Sequence, residues 1–254
     1  MTAIVASRRS AFGRLVRTEA VLFGRSAGMV LWTAVLPLIA LIVIGSVHSL
    51  RRPSASLHGI SYLDAYLPIL MIFSLCMAAV NLLPPTLALY RERGILRRLS
   101  TTPVPPSRLL AAQALIYLTV ALVVAVLMLV IAVAAYGVPL PHQLPGFVLS
   151  LLLIAAATTG IGLLIAALAP SAKAGNAMSF IAFFPLMFFA GLWIPRATMP
   201  HALRVVSDYT PLGAGVRTVQ ASIAGHWPPT AGLLVLLGWA VVACLLAART
   251  FRWQ

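Results

Sequence analysis

The stretch from 109 to 172, LLAAQALIYLTVALVVAVLMLVIAVAAYGVPLPHQLPGFVLSLLLIAAATTGIGLLIAALAPSA, runs for 64 positions without an Asp, Glu, Lys or Arg. An α-helix rises ~1.5 Å per residue and needs ~20 apolar residues to cross ~30 Å of hydrocarbon. The stretch therefore holds two crossings, and the Pro- and Gly-rich segment from Tyr136 to Pro145 supplies the turn between them. The apolar runs are continuous rather than alternating, which excludes the strand pattern of a membrane barrel. Helices remain, because in lipid the backbone must satisfy its own polar groups.

Four further charge-free intervals flank this one: 26–50 with 25 residues, 65–90 with 26, 174–195 with 22 and 218–248 with 31. The predicted fold is an all-α integral membrane protein, one domain over 1–254, with spans at 29–47, 63–83, 109–135, 147–168, 176–194 and 230–248. Composition agrees. The chain is 61% apolar and 9% charged, where a soluble domain carries ~45–50% and ~25%. Cys76 and Cys244 fall inside spans and read as small apolar residues rather than a disulfide framework. The basic start followed by 29–47 reads as an uncleaved span, since ~19 apolar residues exceed the core of a signal peptide.

The net charge of +14 has a topological explanation. With both ends in the cytoplasm, thirteen of the eighteen Arg and Lys residues fall inside and five outside, as the positive-inside rule requires. No role in nucleic-acid binding is needed. All five histidines then lie on the outer side.

Between the spans, three segments have their own character. Residues 8–25 form a predicted interfacial helix, with Phe12 and Leu15 on an apolar side and Arg9, Arg14 and Arg17 opposite, among lipid phosphates. Residues 90–106, YRERGILRRLSTTPVPP, are the most charged stretch. Here Arg91, Arg93, Arg97 and Arg98 accompany Glu92, and Ile95, Leu96 and Leu99 make a narrow apolar face. This is either a positive-inside loop or a short helix inserting into a groove on a cytoplasmic protein, with Glu92 paired to a basic residue there. Residues 195–229 contain two pieces too short to cross. The first is 200–207, opening at Pro200 and closing before Asp208; the second is 212–223, with Leu212, Val216, Val219 and Ile223 in one stripe. They predict a helical hairpin dipping into the outer leaflet. Small residues around Thr158, Gly160 and Gly162 predict close helix approach in the fourth span.

No Asp, Glu, Lys or Arg sits in the middle of a predicted span, which argues against ion-coupled transport. Asp64, at the outer end of the second span, reads as an interfacial anchor. The single lysine, Lys173, lies between alanines, so no phosphate-binding Gly-Lys-Ser/Thr is present. There is no His-Glu-x-x-His, no Cys-x-x-Cys and no acidic pair, and therefore no expected metal site or catalytic residue. Gly24-Arg25-Ser26-Ala27-Gly28 matches a hydrolase nucleophile elbow in letters, but it joins an amphipathic helix to a span rather than a strand to a helix.

A span ending at Pro84-Pro85, followed by YRERGILRRLSTTPVPPSRLLAAQ over 90–113, resembles the first cytoplasmic loop of ABC-2-type transporter permeases. FFPLMFFAGLWIPRATMP over 183–200 and DYTPLGAGVRTVQAS over 208–222 resemble that family's fifth span and outer re-entrant hairpin. The resemblance is closest to its drug- and antibiotic-resistance branch. It implies a bacterial cytoplasmic-membrane permease that pairs with a second copy or a related permease. Two separate ATP-binding cassette ATPases would dock on it, holding the ATP and Mg²⁺ that this chain does not bind. Arg91 to Leu99 would be the coupling helix, 8–25 the connector, and Pro200, Asp208, Pro211 and Leu212 the outer gate. A hydrophobic or amphipathic compound would pass along the first, second and fifth spans. Thr33, Ser74, Asn81, Asn176 and Ser179 would offer it hydrogen bonds, and Phe183, Phe184, Phe188, Phe189 and Trp193 apolar contact. Gly213 and Gly215 predict a flexible second half of the hairpin. A membrane scaffold without transport activity, an intramembrane enzyme and a secondary transporter are the other classes.

Overall fold

The computed structural model describes residues 31–55, 59–95 and 106–250, together with the isolated helical positions 21, 24 and 28. Among the described residues all regular structure is helical. α1 (Leu31–Ser46) opens with a π-helical turn over Leu31–Val35. α2 (Tyr62–Glu92), α3 (Pro106–Tyr136), α4 (Leu144–Leu168) and α5 (Ala172–Ala190) follow. α6 (His201–Tyr209) and α7 (Pro211–Ile223) form a hairpin, and α8 (Thr230–Thr250) closes the chain. Among the described residues five helices, α2, α3, α4, α5 and α8, are long and apolar enough to cross a membrane. The predicted first span, 29–47, begins outside the described residues, and α1 is its described part.

α2 is the most enclosed of the five. Its start is built by Ser61, whose Oγ accepts from the Asp64 N–H at 3.0 Å and donates to Asp64 Oδ2 at 2.6 Å. This reciprocal cap satisfies a first-turn donor. The sequence places the end of this span at Pro84-Pro85, but the helix continues to Glu92. A π-helical turn over Met77–Leu82 precedes a fresh α segment, and the two prolines occupy its first turn. In a first turn the missing N–H leaves no bond unmade, so proline is tolerated there. Arg91 and Glu92 consequently extend the end of a spanning helix.

Two glycines show how tightly the bundle closes. A Cβ on Gly162 of α4 would overlap the Ala79 carbonyl in the π-helical turn of α2. Gly160, two residues earlier, faces α8, where a Cβ would stand 3.1 Å from both Ala243 Cβ and Cys244 Sγ. α4 thus packs against α2 on one side and α8 on the other through small residues, the expected means of association where hydrophobicity gives no preference for a partner. α7 is buried against α4, α8, α5 and α2, with Leu212, Val216 and Val219 fully enclosed. Its glycines correct the expectation of flexibility: a Cβ on Gly213 would overlap Ser207, and one on Gly215 would stand 2.8 Å from Ile154 Cγ1. They are contact points in a regular 13-residue helix.

Candidate functional site

The bundle has two ends, and each carries a polar cluster. At the end where α2 finishes, the Arg91 guanidinium donates to the carbonyl of Ala169, the residue closing α4. Beside it, Glu92 Oε1 accepts from the Ala172 N–H at 3.1 Å, the first residue of α5. Ser171 Oγ completes this cap by accepting from the Ala174 N–H at 3.1 Å. A cation thus meets the negative end of one helix and a carboxylate the positive end of the next, the favourable sense for both helix dipoles. The sequence leaves Glu92 either in a topological loop or paired to a basic residue on a partner; in this fold the exposed side chain also caps the start of α5 through one oxygen. Arg93 is exposed and Ile95 half-buried. Leu96, Arg97, Arg98 and Leu99 lie outside the described residues, as do Arg9, Phe12, Arg14, Leu15 and Arg17 of the interfacial segment.

Between the ends, the residues expected along a path divide. Thr33, Ser74, Asn81 and Ser179 are all buried, on α1, α2 and α5. Ser74 Oγ donates to the Thr33 carbonyl at 2.7 Å and joins α1 to α2. Asn81 Nδ2 donates to Met77 Sδ at 3.2 Å. Thr33 Oγ1, Asn81 Oδ1 and Ser179 Oγ have no hydrogen-bond partner among the described residues. An unsatisfied buried polar atom is costly. All three lie on the spans that the sequence assigns to a path, and Thr33 and Asn81 sit within π-helical turns.

The aromatic residues are not one lining. Phe183 is buried, edge-on to Phe73 with ring centroids 5.8 Å apart, and packs α5 on α2. Phe184 and Trp193 are exposed and stacked on each other at 5.7 Å. Trp193 lies beyond the end of α5, which closes at Gly191 in a left-handed conformation, rather than inside the span as expected. Phe188 and Phe189 are half-buried and meet edge to face, while Asn176 is exposed in the first turns of α5.

At the opposite end the hairpin is pinned by charge. Asp208, in the last turn of α6, pairs with Arg196 and with Arg217 Nη1 at 3.3 Å. Arg196 Nη1 also donates to Ser207 Oγ at 3.0 Å, and that hydroxyl donates to the Phe189 carbonyl at 2.7 Å. Between α6 and α7, Thr210 Oγ1 donates to the Ser207 carbonyl at 2.8 Å and accepts from the Gly213 N–H at 3.2 Å. Pro200 precedes α6, and Pro211 and Leu212 are buried in the first turn of α7. The sequence names Arg91, Glu92 and Asp208 but not the partners they meet, Ala169, Ala172, Arg196 and Arg217. A signal was available: with four acids in the chain, each carboxylate near a span has to be paired. Among the described residues no three His, Cys, Asp or Glu side chains gather into a metal-binding group.

The chain is 29% identical over 186 residues to the inner membrane transport permease YhhJ of Escherichia coli (strain K12), across 70% of this chain and 50% of that protein. The same figures hold for the inner membrane transport permease YhhJ of Shigella flexneri. The chain therefore spans about half the length of the curated relatives it matches. The sequence model of one family, described as ABC-2 type transporter, matches residues 10–223. Most of the chain is covered by that match, and the protein belongs to the ABC-2 type transporter family.

Proposed function

We propose that this chain is the permease subunit of an ATP-binding cassette exporter in a bacterial inner membrane, driven by separate ATPase subunits that carry ATP and Mg²⁺. Two copies, or one copy and a related permease, enclose the path. The cargo is a hydrophobic or amphipathic compound of drug, antibiotic or lipid-like character, because a lining without formal charge would leave a bare ion desolvated. Both termini are cytoplasmic on the charge distribution.

The observation that carries this reading is the double tie at Arg91 and Glu92. The end of α2 is fastened to the turn joining α4 and α5, so a displacement of the 90–106 loop would be delivered to three spans at once. The pair would transmit the stroke, and the three unpartnered polar atoms on α1, α2 and α5 would meet cargo when the packing changes.

The test is to purify the tagged protein from its native host in mild detergent and identify what accompanies it by mass spectrometry. A near-stoichiometric soluble protein bearing a phosphate-binding loop is the expected result. A folded chain eluting without any ATPase would overturn the reading in favour of a membrane scaffold.

A further inference from the structure

At the hairpin end, a half-open cavity of about 470 Å³ lies between the start of α2, the segment after α5, and the faces of α6 and α7. Its volume falls in the range of small-molecule sites, ~300–1,000 Å³. Three charged side chains line it: Asp64 from the first turn of α2, Arg196 from the segment after α5, and Arg204 from α6. Gln220 of α7 adds an amide, and Ile60, Ile69 and Ile223 supply apolar wall.

The charges are not equally committed. Arg196 is held by Asp208 and Ser207. Arg204 is exposed, and among the described residues no carboxylate pairs with it. Asp64 Oδ2 takes the Ser61 hydroxyl, and among the described residues no cation pairs with Asp64. The cavity therefore offers one cation and one carboxylate that have no oppositely charged partner among the described residues, beside an apolar wall. Asp64 stands in the first turn of a helix long and apolar enough to cross a membrane, and the end of a crossing helix meets the headgroups. An occupant with its polar part between Asp64 and Arg204 can run its apolar part along the bundle.

We propose that this cavity binds the zwitterionic head of an amphiphile. Its phosphate or carboxylate is received by Arg204 and its ammonium by Asp64, with the first methylenes against Ile69 and Ile223. An uncharged head would leave both groups unsatisfied, and an anionic head without an ammonium would face Asp64 with like charge. The site needs no ATPase and stands apart from the coupling proposed at Arg91 and Glu92.

The experiment uses the full chain in dodecyl maltoside and measures binding of lysophosphatidylethanolamine and lysophosphatidylglycerol by native mass spectrometry. The two probes share a phosphate and a tail and differ in the ammonium. The wild type is expected to prefer the zwitterion about tenfold. Asp64→Asn keeps an acceptor for the Ser61 hydroxyl, so the cap survives, and it is expected to erase the preference while leaving the glycerol probe bound. Arg204→Gln, at an exposed position, is expected to weaken both probes about tenfold. Equal binding of the probes by the wild type, or a preference that persists in folded Asp64→Asn, would overturn the proposal. Lipid extraction separates the two sources of such a head. A zwitterionic lipid retained by the wild type and lost from Arg204→Gln identifies a bilayer lipid. Binding of the added probe without a retained lipid identifies a carried compound.

Discussion

Glu92 can act in two ways that predict different mutants. If it pairs with a cation on an ATPase, its charge is what matters, and Glu92→Gln fails as completely as Glu92→Arg. If it caps α5, as the 3.1 Å bond to the Ala172 N–H indicates, its acceptor matters most. Glu92→Gln keeps an oxygen at that position and loses the favourable charge at the helix N-terminus, about 0.5 kcal/mol at an exposed site. That is a two- to threefold loosening. Glu92→Arg removes the acceptor, about 1 kcal/mol, and reverses the charge at a positive helix end, about 1 kcal/mol more. The sum of about 2 kcal/mol is roughly a thirtyfold shift toward the undocked loop. Hydrogen–deuterium exchange over residues 169–175 reads this directly, because local opening sets the exchange rate. The expected order is wild type, then Gln close behind, then Arg faster by an order of magnitude or more. Co-purified ATPase should remain with Glu92→Gln and fall with Glu92→Arg. Equal exchange in the two variants would refute the capping role.

Three further outcomes follow from the packing. Asn81→Leu removes an unpartnered buried acceptor whose burial costs about 1–3 kcal/mol; thermal unfolding in detergent should show a midpoint unchanged or raised, and a clear loss of stability would mean that Oδ1 is engaged. Gly162→Ala drives a methyl into the Ala79 carbonyl and should cost about 1–3 kcal/mol. Gly238→Ala, which meets nothing within 4 Å, should be neutral or gain up to about 1 kcal/mol of helix propensity, and the same melting experiment compares the two. Asp208→Asn leaves Arg196 and Arg217 without their shared carboxylate and should loosen the hairpin by about 1–2 kcal/mol. Faster deuterium uptake over 201–223, reversed in Asp208→Glu, is the expected sign.

What could be read from the sequence was whatever depends on length and charge. Charge-free intervals located the five described helices long enough to cross a membrane, and of the stripe Leu212, Val216, Val219 and Ile223 the first three form a buried face of α7 while Ile223 is half-buried. What could not be read depends on which neighbour a residue meets. Phe183 and Phe184 are adjacent and identical, yet one is buried against Phe73 and the other is exposed. A spanning helix is apolar on every side, so hydrophobicity does not tell a core face from a lipid face. Pro84-Pro85 reads as a stop because a π-helical turn that restarts the helix has no sequence signature of its own. Gly213 reads as flexible because the carbonyl and hydroxyl of Ser207 that fill its space belong to a different helix. The cap that Glu92 makes on α5 is not legible because the Ala172 N–H it accepts from is eighty residues further along the chain.

The three described carboxylates, Asp64, Glu92 and Asp208, make one physical argument together. Each stands at a helix terminus, and two of them bear on α5. At one end of α5 the Ala172 N–H is taken by Glu92 from α2. At the other, the Phe189 carbonyl is taken by Ser207, which the Arg196 and Asp208 pair holds in place. Helix ends leave such groups without intrahelical partners, and here two of them are satisfied by other elements of the fold. α5, 19 residues and therefore about 28 Å long, is a rod fastened at both ends of the bundle. It is not a uniform rod. Pro185 removes a backbone donor inside the helix, and proline is the commonest cause of a kink. The compliant point falls between Ser179 and Phe189. A displacement entering at Glu92 would therefore be taken up partly by bending at Pro185, beside Phe183 and its contact with α2, and only the remainder would reach Ser207. In the proposed cycle the packing around the unpartnered hydroxyl of Ser179 would change before the hairpin moves, so cargo would be engaged first at the loop end of the bundle.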